Sequence, residues 1–181
     1  RGQVAHVTGN LPAALASYDK ALQLQPAHTE ALVSRAGLQM DLRRYAEASR
    51  DVSTLMKTSP TEPRGAYMKA LLAEREGRSV EAKAALNEVT SLLDPVPVEF
   101  LRYRPQLLML GGLSHYGLNQ REKAKPYLEA VQRVQPNSAV SKLLANIYLA
   151  EKNVDRAIEA LDAYLKAQPR DAQAVLLLAS A

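Results

Sequence analysis

The chain has 181 residues, and its 23 Lys and Arg against 19 Asp and Glu leave a net charge of only +4. A charge this small, scattered along the whole chain, argues against nucleic-acid binding, which requires basic residues clustered on one face. The absence of Cys excludes disulfides, thiolate metal sites and catalytic thiols. No apolar run reaches the roughly 20 residues of a membrane-spanning helix, so we expect no membrane span here.

A sequence repeat runs through the chain, and most of its units end in a Pro. A small residue stands twelve positions before that ending, as Ala14 stands before Pro26. Ala48, Ala124 and Ala157 stand in the same position, and Ala82 stands twelve positions before Asp94, which Pro95 follows. The spacings between these five alanines are 34, 34, 42 and 33. A second series of small residues lies twelve positions further upstream, at Gly2, Ala36, Ala70, Gly112 and Ala145. Small residues allow two helices to approach closely, and Pro ends a helix, so the repeat predicts helix–turn–helix units.

The repeat and the composition together predict an all-α fold, because Ala, Leu, Glu, Lys and Arg favour helices. Eleven helices are expected, at 1–8, 11–24, 29–41, 45–58, 63–76, 79–93, 105–117, 121–134, 138–150, 154–167 and 171–181. The first and the last of these helices belong to incomplete units. We therefore expect the chain to be a fragment of a longer protein.

The order of small residues, larger apolar residues and Pro resembles the tetratricopeptide repeat, a helix–turn–helix unit of about 34 residues. The segments "GNLPAALASYDKALQLQP" and "YLAEKNVDRAIEALDAYLKAQP" carry the resemblance best. It implies one right-handed superhelical solenoid over 1–181. The implied repeat units are 1–28, 29–62, 63–94, 105–137, 138–170 and a partial 171–181, with an insertion at 95–104.

In such an array the first helix of each unit lines a concave groove, and here the middle of that groove is rich in Tyr, Met and Leu. These side chains suit a helix or an extended peptide of a protein partner. The residues expected to bind it are Tyr67, Met68, Leu71, Arg75, Met109, Leu113, Tyr116, Lys142 and Asn146. The alternative is that some of them pack in the core between helices.

Lys142 and Asn146 also resemble the first two members of the carboxylate clamp of chaperone-binding tetratricopeptide domains. That clamp would continue at position 177, where this chain has Leu177. The resemblance therefore stops at two residues, and it implies only that Lys and Asn are able to bind a carboxylate.

The insertion lengthens one repeat by about eight residues, in "DPVPVEFLRYRP". Its prolines favour an extended stretch, followed by a short helical turn or an extension of the next helix. One interpretation is a tolerated loop in which Phe100 fills the wider joint between repeats. The other is a second contact surface, because aromatic residues and Arg are typical of binding hot spots. The residues of that surface would be Phe100, Arg102, Tyr103 and Arg104.

No pattern in the sequence indicates catalysis, a metal site or a cofactor. Ser114 and His115 are adjacent in "GGLSHYG", but neighbours on a helix point about 100° apart, so they cannot form a catalytic pair. The three His residues lie in different units without metal-ligand spacing. We therefore predict a protein that is not an enzyme and carries neither a metal nor a cofactor.

Several phrases are similar to the tetratricopeptide proteins of the bacterial PEP-CTERM/exosortase system. They include "YMKALLA", "HYGL" and "KLLA", within a similarity that extends over about residues 12–181. The resemblance implies a scaffold in exopolysaccharide production or export, or in protein sorting, located in the cell envelope or periplasm.

Three other functions stay open at this stage. The chain could be a structural spacer or self-assembly module whose groove is filled by neighbouring repeats. It could be a tetratricopeptide adaptor of the cytoplasm. It could also bind glycans, with Tyr67, Tyr103 and Tyr116 as stacking surfaces.

Overall fold

The structure is a computed structural model that describes residues 9–180. Over these residues the chain forms ten α-helices and one 3₁₀ helix, and it contains no strand. The helices are α1 (Leu11–Leu24), α2 (Thr29–Asp41), α3 (Tyr45–Thr58), α4 (Pro63–Arg75), α5 (Ser79–Leu93), the 3₁₀ helix (Val98–Tyr103), α6 (Pro105–Gly117), α7 (Arg121–Val134), α8 (Val140–Ala150), α9 (Val154–Ala167) and α10 (Ala172–Ala179). The helix expected at 1–8 lies outside the described residues.

The helix boundaries follow the proline spacing. The second helix of each pair ends two residues before a Pro, as α1 ends at Leu24 before Pro26 and α5 ends at Leu93 before Pro95. A Pro that follows a helix disfavours helical backbone in the residue before it, so the helix has to end there. Most of the predicted boundaries are confirmed. The largest difference is at α8, which begins at Val140 rather than at 138.

A left-handed residue stands in the turn between the two helices of each pair. The residues with positive φ are Gly9, Arg43, Gly77, Asn119 and Lys152, and their spacings of 34, 34, 42 and 33 repeat those of the small residues. Gly77 adopts φ 72° without strain because it has no Cβ, whereas Arg43 and Lys152 adopt about the same angle at some energetic cost. The turn geometry therefore recurs from unit to unit while the residue type does not.

The small residues of the repeat are buried where helices meet. The alanines at 14, 48, 124 and 157 are fully buried, and Ala82 is nearly so. The described chain divides into two compact units between Leu92 and Leu93. We call them unit 1, which contains α1 to α4 and α5 as far as Leu92, and unit 2, which contains the 3₁₀ helix and α6 to α10.

Unit 1 has a core that joins α1 to α4. Leu32 and Leu55 are its most deeply buried large side chains, and Ala36 and Ala48 allow the helices to approach each other around them. The pair of α2 and α3 makes the tightest contact within this unit. The α2–α3 pair therefore closes on itself, and α4 packs against both of its helices, as expected for a repeat array.

Unit 2 has its own core, centred on Leu108, Leu128, Leu144 and Leu161. The closest helix contact in this unit is between α6 and α7, where glycines replace larger side chains. A Cβ atom on Gly112 would lie 2.5 Å from Cδ2 of Leu128, and one on Gly111 would lie 2.6 Å from the ring of Tyr127. The predicted close approach at Gly112 is therefore confirmed, and the all-α helix–turn–helix fold is confirmed with it.

Candidate functional site

The first candidate surface lies in unit 1 on α2 and α4, the first helices of two successive pairs, which pack side by side. Leu71 of α4 is 42% exposed, although it is a large apolar side chain. Tyr67, one turn earlier, is half-buried, and burial raises the pKa of its hydroxyl. Exposed apolar side chains beside a partly buried Tyr are common where one protein binds another.

Gly37 holds in α2 the position that Leu71 holds in α4, since one repeat of 34 residues separates them. A Cβ atom at Gly37 would meet no atom within 4 Å. Gly65 differs, because a Cβ atom there would lie 2.8 Å from Sδ of Met56. The backbone of Gly37 thus borders open space instead of a neighbouring helix. We define the α2–α4 surface as Val33, Gly37, Met40, Tyr67 and Leu71.

Two residues that the sequence assigned to this surface have partners inside the chain. Met68 is only 8% exposed and packs in the core of unit 1, so the prediction that it contacts a partner is wrong. The guanidinium of Arg75 lies 3.7 Å from the centre of the Tyr45 ring, where a cation–π contact holds it against α3. Arg75 stays exposed at the end of α4, and its charge remains accessible.

In unit 2 the expected groove residues of α6 are less exposed than Leu71. Met109, Leu113 and Tyr116 are all half-buried, and Met109 and Tyr116 pack against the core. This partial burial agrees with the alternative that these residues pack in the core. Val33 and Met40 of the α2–α4 surface are half-buried against the core in the same way, so the difference between the two surfaces rests on the exposed Leu71 and the open backbone at Gly37. We therefore take the α2–α4 surface as the stronger candidate.

Lys142 is held by an acid of its own chain. Its ammonium lies 2.8 Å from Oδ2 of Asp171, which also accepts a hydrogen bond of 2.7 Å from the hydroxyl of Tyr164. The other oxygen of Asp171 accepts from the backbone N–H groups of Gln173 and Ala174 and so caps α10. Lys142 thus already binds a carboxylate of its own chain. Asn146, the other clamp-like residue, is half-buried and has no charged partner among the described residues.

This arrangement makes the stability of unit 2 sensitive to acid. The hydrogen bond from Lys142, followed by those from Tyr164 and Ala174, holds the pKa of Asp171 well below its ordinary value. A carboxylate whose pKa is lower in the folded than in the unfolded state stabilises the fold at every pH above the unfolded pKa. For Asp171 this stabilisation is lost as the pH falls below about 4. Asp171→Asn keeps a capping side chain but has no charge, so we expect its melting temperature to be lower than that of the parent at pH 7.

Melting curves followed by circular dichroism from pH 7 down to about pH 2 would check this expectation. The difference in melting temperature between parent and Asp171→Asn should shrink steadily as the acid protonates Asp171. A difference that stays constant over the whole range would show that the charge of Asp171 contributes nothing.

The insertion forms the 3₁₀ helix, and Arg104 separates it from α6. The interpretation that Phe100 fills the joint between repeats is wrong, because Phe100 is 74% exposed. Leu101 is buried in the core of unit 2 instead, and Val98 packs beside it. The short helix is therefore anchored through its neighbours, and its aromatic residues face outward.

Ser114 and His115 are both buried within α6, and their side chains make no hydrogen bond to each other. Nε2 of His115 lies 2.8 Å from Oδ1 of Asp94, and Nδ1 lies 2.8 Å from Oε1 of Gln120. Tyr127 contacts the same carboxylate at 3.4 Å, and burial raises the pKa of its hydroxyl to about 12. These contacts join the residue before the insertion to α6 and α7, which is a structural task.

Sequence reasoning missed a hollow of about 410 Å³ between α1, α2 and α3. Leu22 and Leu32 line its apolar part, and three charged residues, Asp19, Arg35 and Asp51, line the rest together with polar side chains. Arg35 donates two hydrogen bonds to Asp51, of 2.7 and 2.6 Å, and one of 2.6 Å to Asp19. Asp19 lies five residues after Ala14 in the repeat. An acid at that position, followed by a basic residue in the next helix, is the signal that could have revealed the contact.

A smaller hollow of about 260 Å³ in unit 2 repeats this arrangement between α7, α8 and α9. Glu129 lies five residues after Ala124, and it accepts a hydrogen bond of 2.7 Å from the hydroxyl of Tyr148. Arg156 lies 3.4 Å from the same carboxylate and also stacks on Tyr148. The acidic position of one repeat is thus bound by the following repeat in both units.

Within the described residues 9–180, no group of three His, Cys, Asp or Glu is placed to hold a metal ion. Over the same range no helix is both long and apolar enough to cross a membrane. The paired helices and the turn that recurs between them define a protein of the helical-repeat class.

The family follows from comparison with known proteins. Two family models, both described as "Tetratricopeptide repeat", match this chain, one over residues 8–74 and the other over 109–172 and 142–181. The chain belongs to the tetratricopeptide repeat family, whose members are scaffolds for protein–protein interaction. No curated protein sequence matches it.

Several solved structures share the fold. The thermophilic tetratricopeptide protein TTC0263 of Thermus thermophilus is 23% identical with a TM-score of 0.66, over 99% of this chain and 94% of that one. PilF of Pseudomonas aeruginosa is 20% identical with a TM-score of 0.69, over 97% and 77%. YrrB, described as a tetratricopeptide protein with an unusual peptide-binding site, is 19% identical with a TM-score of 0.58, over 97% and 87%. The predicted fold class is thereby confirmed.

Proposed function

We propose that this chain is a non-catalytic protein-binding scaffold whose α2–α4 surface binds a helix or an extended peptide of a partner protein. The observation that carries the proposal is the exposure of Leu71 in register with the open backbone of Gly37. We infer that the exposed Leu71, in register with a position that has no side chain, leaves a shallow apolar depression for a partner. A partner's side chain that enters it removes apolar surface from water on both sides.

The chemistry of the surrounding residues suits a peptide. Met40 can adjust its rotamers to partners of different shape, and the hydroxyl of Tyr67 offers a hydrogen bond beside the apolar area. Arg75 at the end of α4 supplies a positive charge next to Leu71. These features favour an amphipathic partner segment that presents apolar side chains to Leu71 and an acidic group to Arg75.

The setting we propose is a bacterial envelope assembly for exopolysaccharide production or export, or for protein sorting. The support is the wording of "YMKALLA", "HYGL" and "KLLA", which resembles tetratricopeptide proteins of the PEP-CTERM/exosortase system. Peptide binding by YrrB illustrates that a fold of this kind can serve such a task. The location in the envelope is part of the same proposal.

The first experiment compares capture by the parent, by Leu71→Glu and by Val80→Glu from a bacterial envelope extract. Val80 is a matched control, because it is also an exposed apolar residue of unit 1 and lies in the first turn of α5. We expect a set of proteins bound by the parent and by Val80→Glu but lost from Leu71→Glu. Equal capture by all three proteins would contradict the proposal.

A second variant removes stability as an explanation. Gly37→Gln adds a side chain in open space and replaces Gly by a better helix former, which should stabilise α2 by about 0.5–1 kcal/mol. The same side chain obstructs the depression beside Leu71. We expect Gly37→Gln to melt at a higher temperature than the parent and yet to bind the captured, purified partner more weakly in a titration. Unchanged affinity would place the binding site elsewhere.

A further inference from the structure

The geometry of the 3₁₀ helix separates its residues into distinct faces. Side chains at i and i+3 eclipse each other in a helix with three residues per turn. Val98 and Leu101 form one such pair, which packs on the core of unit 2 beside α6 and α7. Phe100 and Tyr103 form another pair, which is 74% and 79% exposed. The core contacts of one pair therefore hold the two aromatic rings outward.

The exposed pair has no role in folding that the contacts reveal. Phe100 is the only Phe of the chain, and neither ring belongs to the core of unit 2 or packs against it. A Phe that is left in water forgoes the favourable free energy that burial in a core would give it. Two such exposed rings, one turn apart on an anchored 3₁₀ helix, form a preorganised apolar contact.

Two arginines frame the aromatic pair. The guanidinium of Arg102 lies 4.6 Å from the centre of the Tyr103 ring, and Arg104 follows at the end of the helix. Both are exposed, and within the described chain neither forms a salt bridge, not even with nearby Glu99. The cation–π contact orients Arg102 and leaves its N–H donors available for a carboxylate.

We propose that Phe100, Arg102, Tyr103 and Arg104, the aromatic–arginine face, are a second docking site that binds an acidic peptide segment carrying a bulky apolar side chain. The apolar side chain lies against the two rings, and the carboxylates of the peptide pair with the two guanidinium groups. Aromatic and Arg side chains together are the residues that most often dominate binding energies. The site is distinct from the α2–α4 surface and belongs to the other unit.

Charge and size favour a peptide over an anionic membrane. Stable attraction to anionic lipid requires clusters of about 4–8 basic residues near the membrane surface. This face has two, and Glu99 opposes them. A bidentate carboxylate, by contrast, matches a single guanidinium, so two arginines are sufficient for a short acidic segment.

A random decamer library displayed on phage tests the proposal. Phage that bind the parent are kept, and phage that also bind Phe100→Ala/Tyr103→Ala are removed. This variant changes only exposed side chains, and its melting temperature is checked to be that of the parent. We expect enriched peptides in which Asp or Glu flanks Leu, Ile, Phe or Trp. The enriched peptide is then synthesised with a fluorescent label for titration.

In the titration we expect Phe100→Ala/Tyr103→Ala to lose at least about tenfold in affinity, as for a hot spot. Arg102→Gln/Arg104→Gln should also bind more weakly, with a smaller dependence on salt. Leu24→Ala, which changes an exposed apolar residue of unit 1, and Leu71→Glu should both bind like the parent. These two controls separate this site from the α2–α4 surface, so either proposal can fail alone.

Three results would overturn the proposal. The first is that no peptide is enriched on the parent relative to Phe100→Ala/Tyr103→Ala. The second is that the enriched peptides are basic or uncharged. The third is that phosphatidylglycerol vesicles bind the parent through Phe100 and Tyr103 while no peptide binds through these residues. That result would make the face a membrane contact.

Discussion

Arg35→Leu should destabilise the protein by about 3–5 kcal/mol, because it leaves the buried carboxylate of Asp51 without its partner. Asp51 is only 6% exposed, and both of its oxygens accept hydrogen bonds from the Arg35 guanidinium. The hydrogen bonding to Asp51, and to a smaller extent that to Asp19, raises the pKa of Arg35 above its ordinary value. The guanidinium therefore stays charged at every accessible pH. The loss is measurable by urea unfolding followed by circular dichroism.

The double variant Arg35→Leu/Asp51→Leu distinguishes the penalty of an unpaired charge from a loss of packing. Replacing both members of a buried pair by apolar residues is often close to neutral, so the double variant should regain most of the stability lost by Arg35→Leu. Asp19→Asn is the matched control for the exposed side of the contact, and it should lose less than about 1 kcal/mol. A double variant as unstable as Arg35→Leu alone would show that the shape of the Arg side chain matters and its charge does not.

The helices were predictable because their ends and contacts depend on Pro and on small residues, whose effects on a helix are strong and local. A Pro two residues beyond each second helix and an Ala where two backbones meet leave little freedom, and they place α1 at 11–24 and α9 at 154–167. The glycines at 9 and 77 also indicate the turns. The same turns at Arg43 and Lys152 give no such signal, because Arg and Lys rarely adopt the left-handed conformation that they have there.

The candidate surfaces were less predictable, because exposure depends on which neighbour packs against a residue. Met68 and Leu71 lie three positions apart on one helix, yet Met68 is buried against the core while Leu71 is exposed. In the insertion the aromatic Phe100 is the more hydrophobic choice for a core, but the smaller Leu101 occupies it. Periodicity limits a residue to a face of its helix, and only the packed structure shows what covers that face.

Ion pairs were the least predictable features. A flexible side chain can choose among several opposite charges within its reach, and sequence spacing does not rank them. Lys142 resembled a ligand-binding residue, but it pairs with Asp171, which lies 29 residues away at the beginning of α10. His115 had no recognisable partner in the sequence, although Asp94 and Gln120 bind both of its ring nitrogens. Such pairs depend on how successive repeats stack on each other, and only the folded structure shows that.

Gly112 and Leu128 form the tightest contact between α6 and α7, and their substitutions should be strongly non-additive. Leu128→Ala removes a fully buried side chain from the core of unit 2, and we expect it to cost about 3–5 kcal/mol. Gly112→Ala places a Cβ atom 2.5 Å from Cδ2 and 2.9 Å from Cγ of Leu128. The overpacking costs about 1–3 kcal/mol, partly offset by the better helix propensity of Ala.

The double variant Gly112→Ala/Leu128→Ala tests whether these two penalties have one physical origin. The two atoms that a Cβ on Gly112 would strike are absent once Leu128 is Ala, and the new methyl group enters the cavity that the first substitution opens. We therefore expect the double variant to be at least as stable as Leu128→Ala alone, which corresponds to a favourable coupling of about 1 kcal/mol or more. Urea unfolding of the parent, the two single variants and the double variant gives the coupling directly.

Gly111→Ala is the control for this cycle. It is adjacent in α6, but the atoms it would strike belong to the ring of Tyr127, at 2.6 Å, and not to Leu128. Combining Gly111→Ala with Leu128→Ala should therefore add the two penalties without a favourable coupling. Equal coupling for Gly111 and Gly112 would mean that α6 and α7 shift apart as rigid bodies in response to any added methyl group. In that case the small residues of the repeat would set the distance between the helices as a whole, with no side chain of α7 specifically matched to the missing Cβ atom.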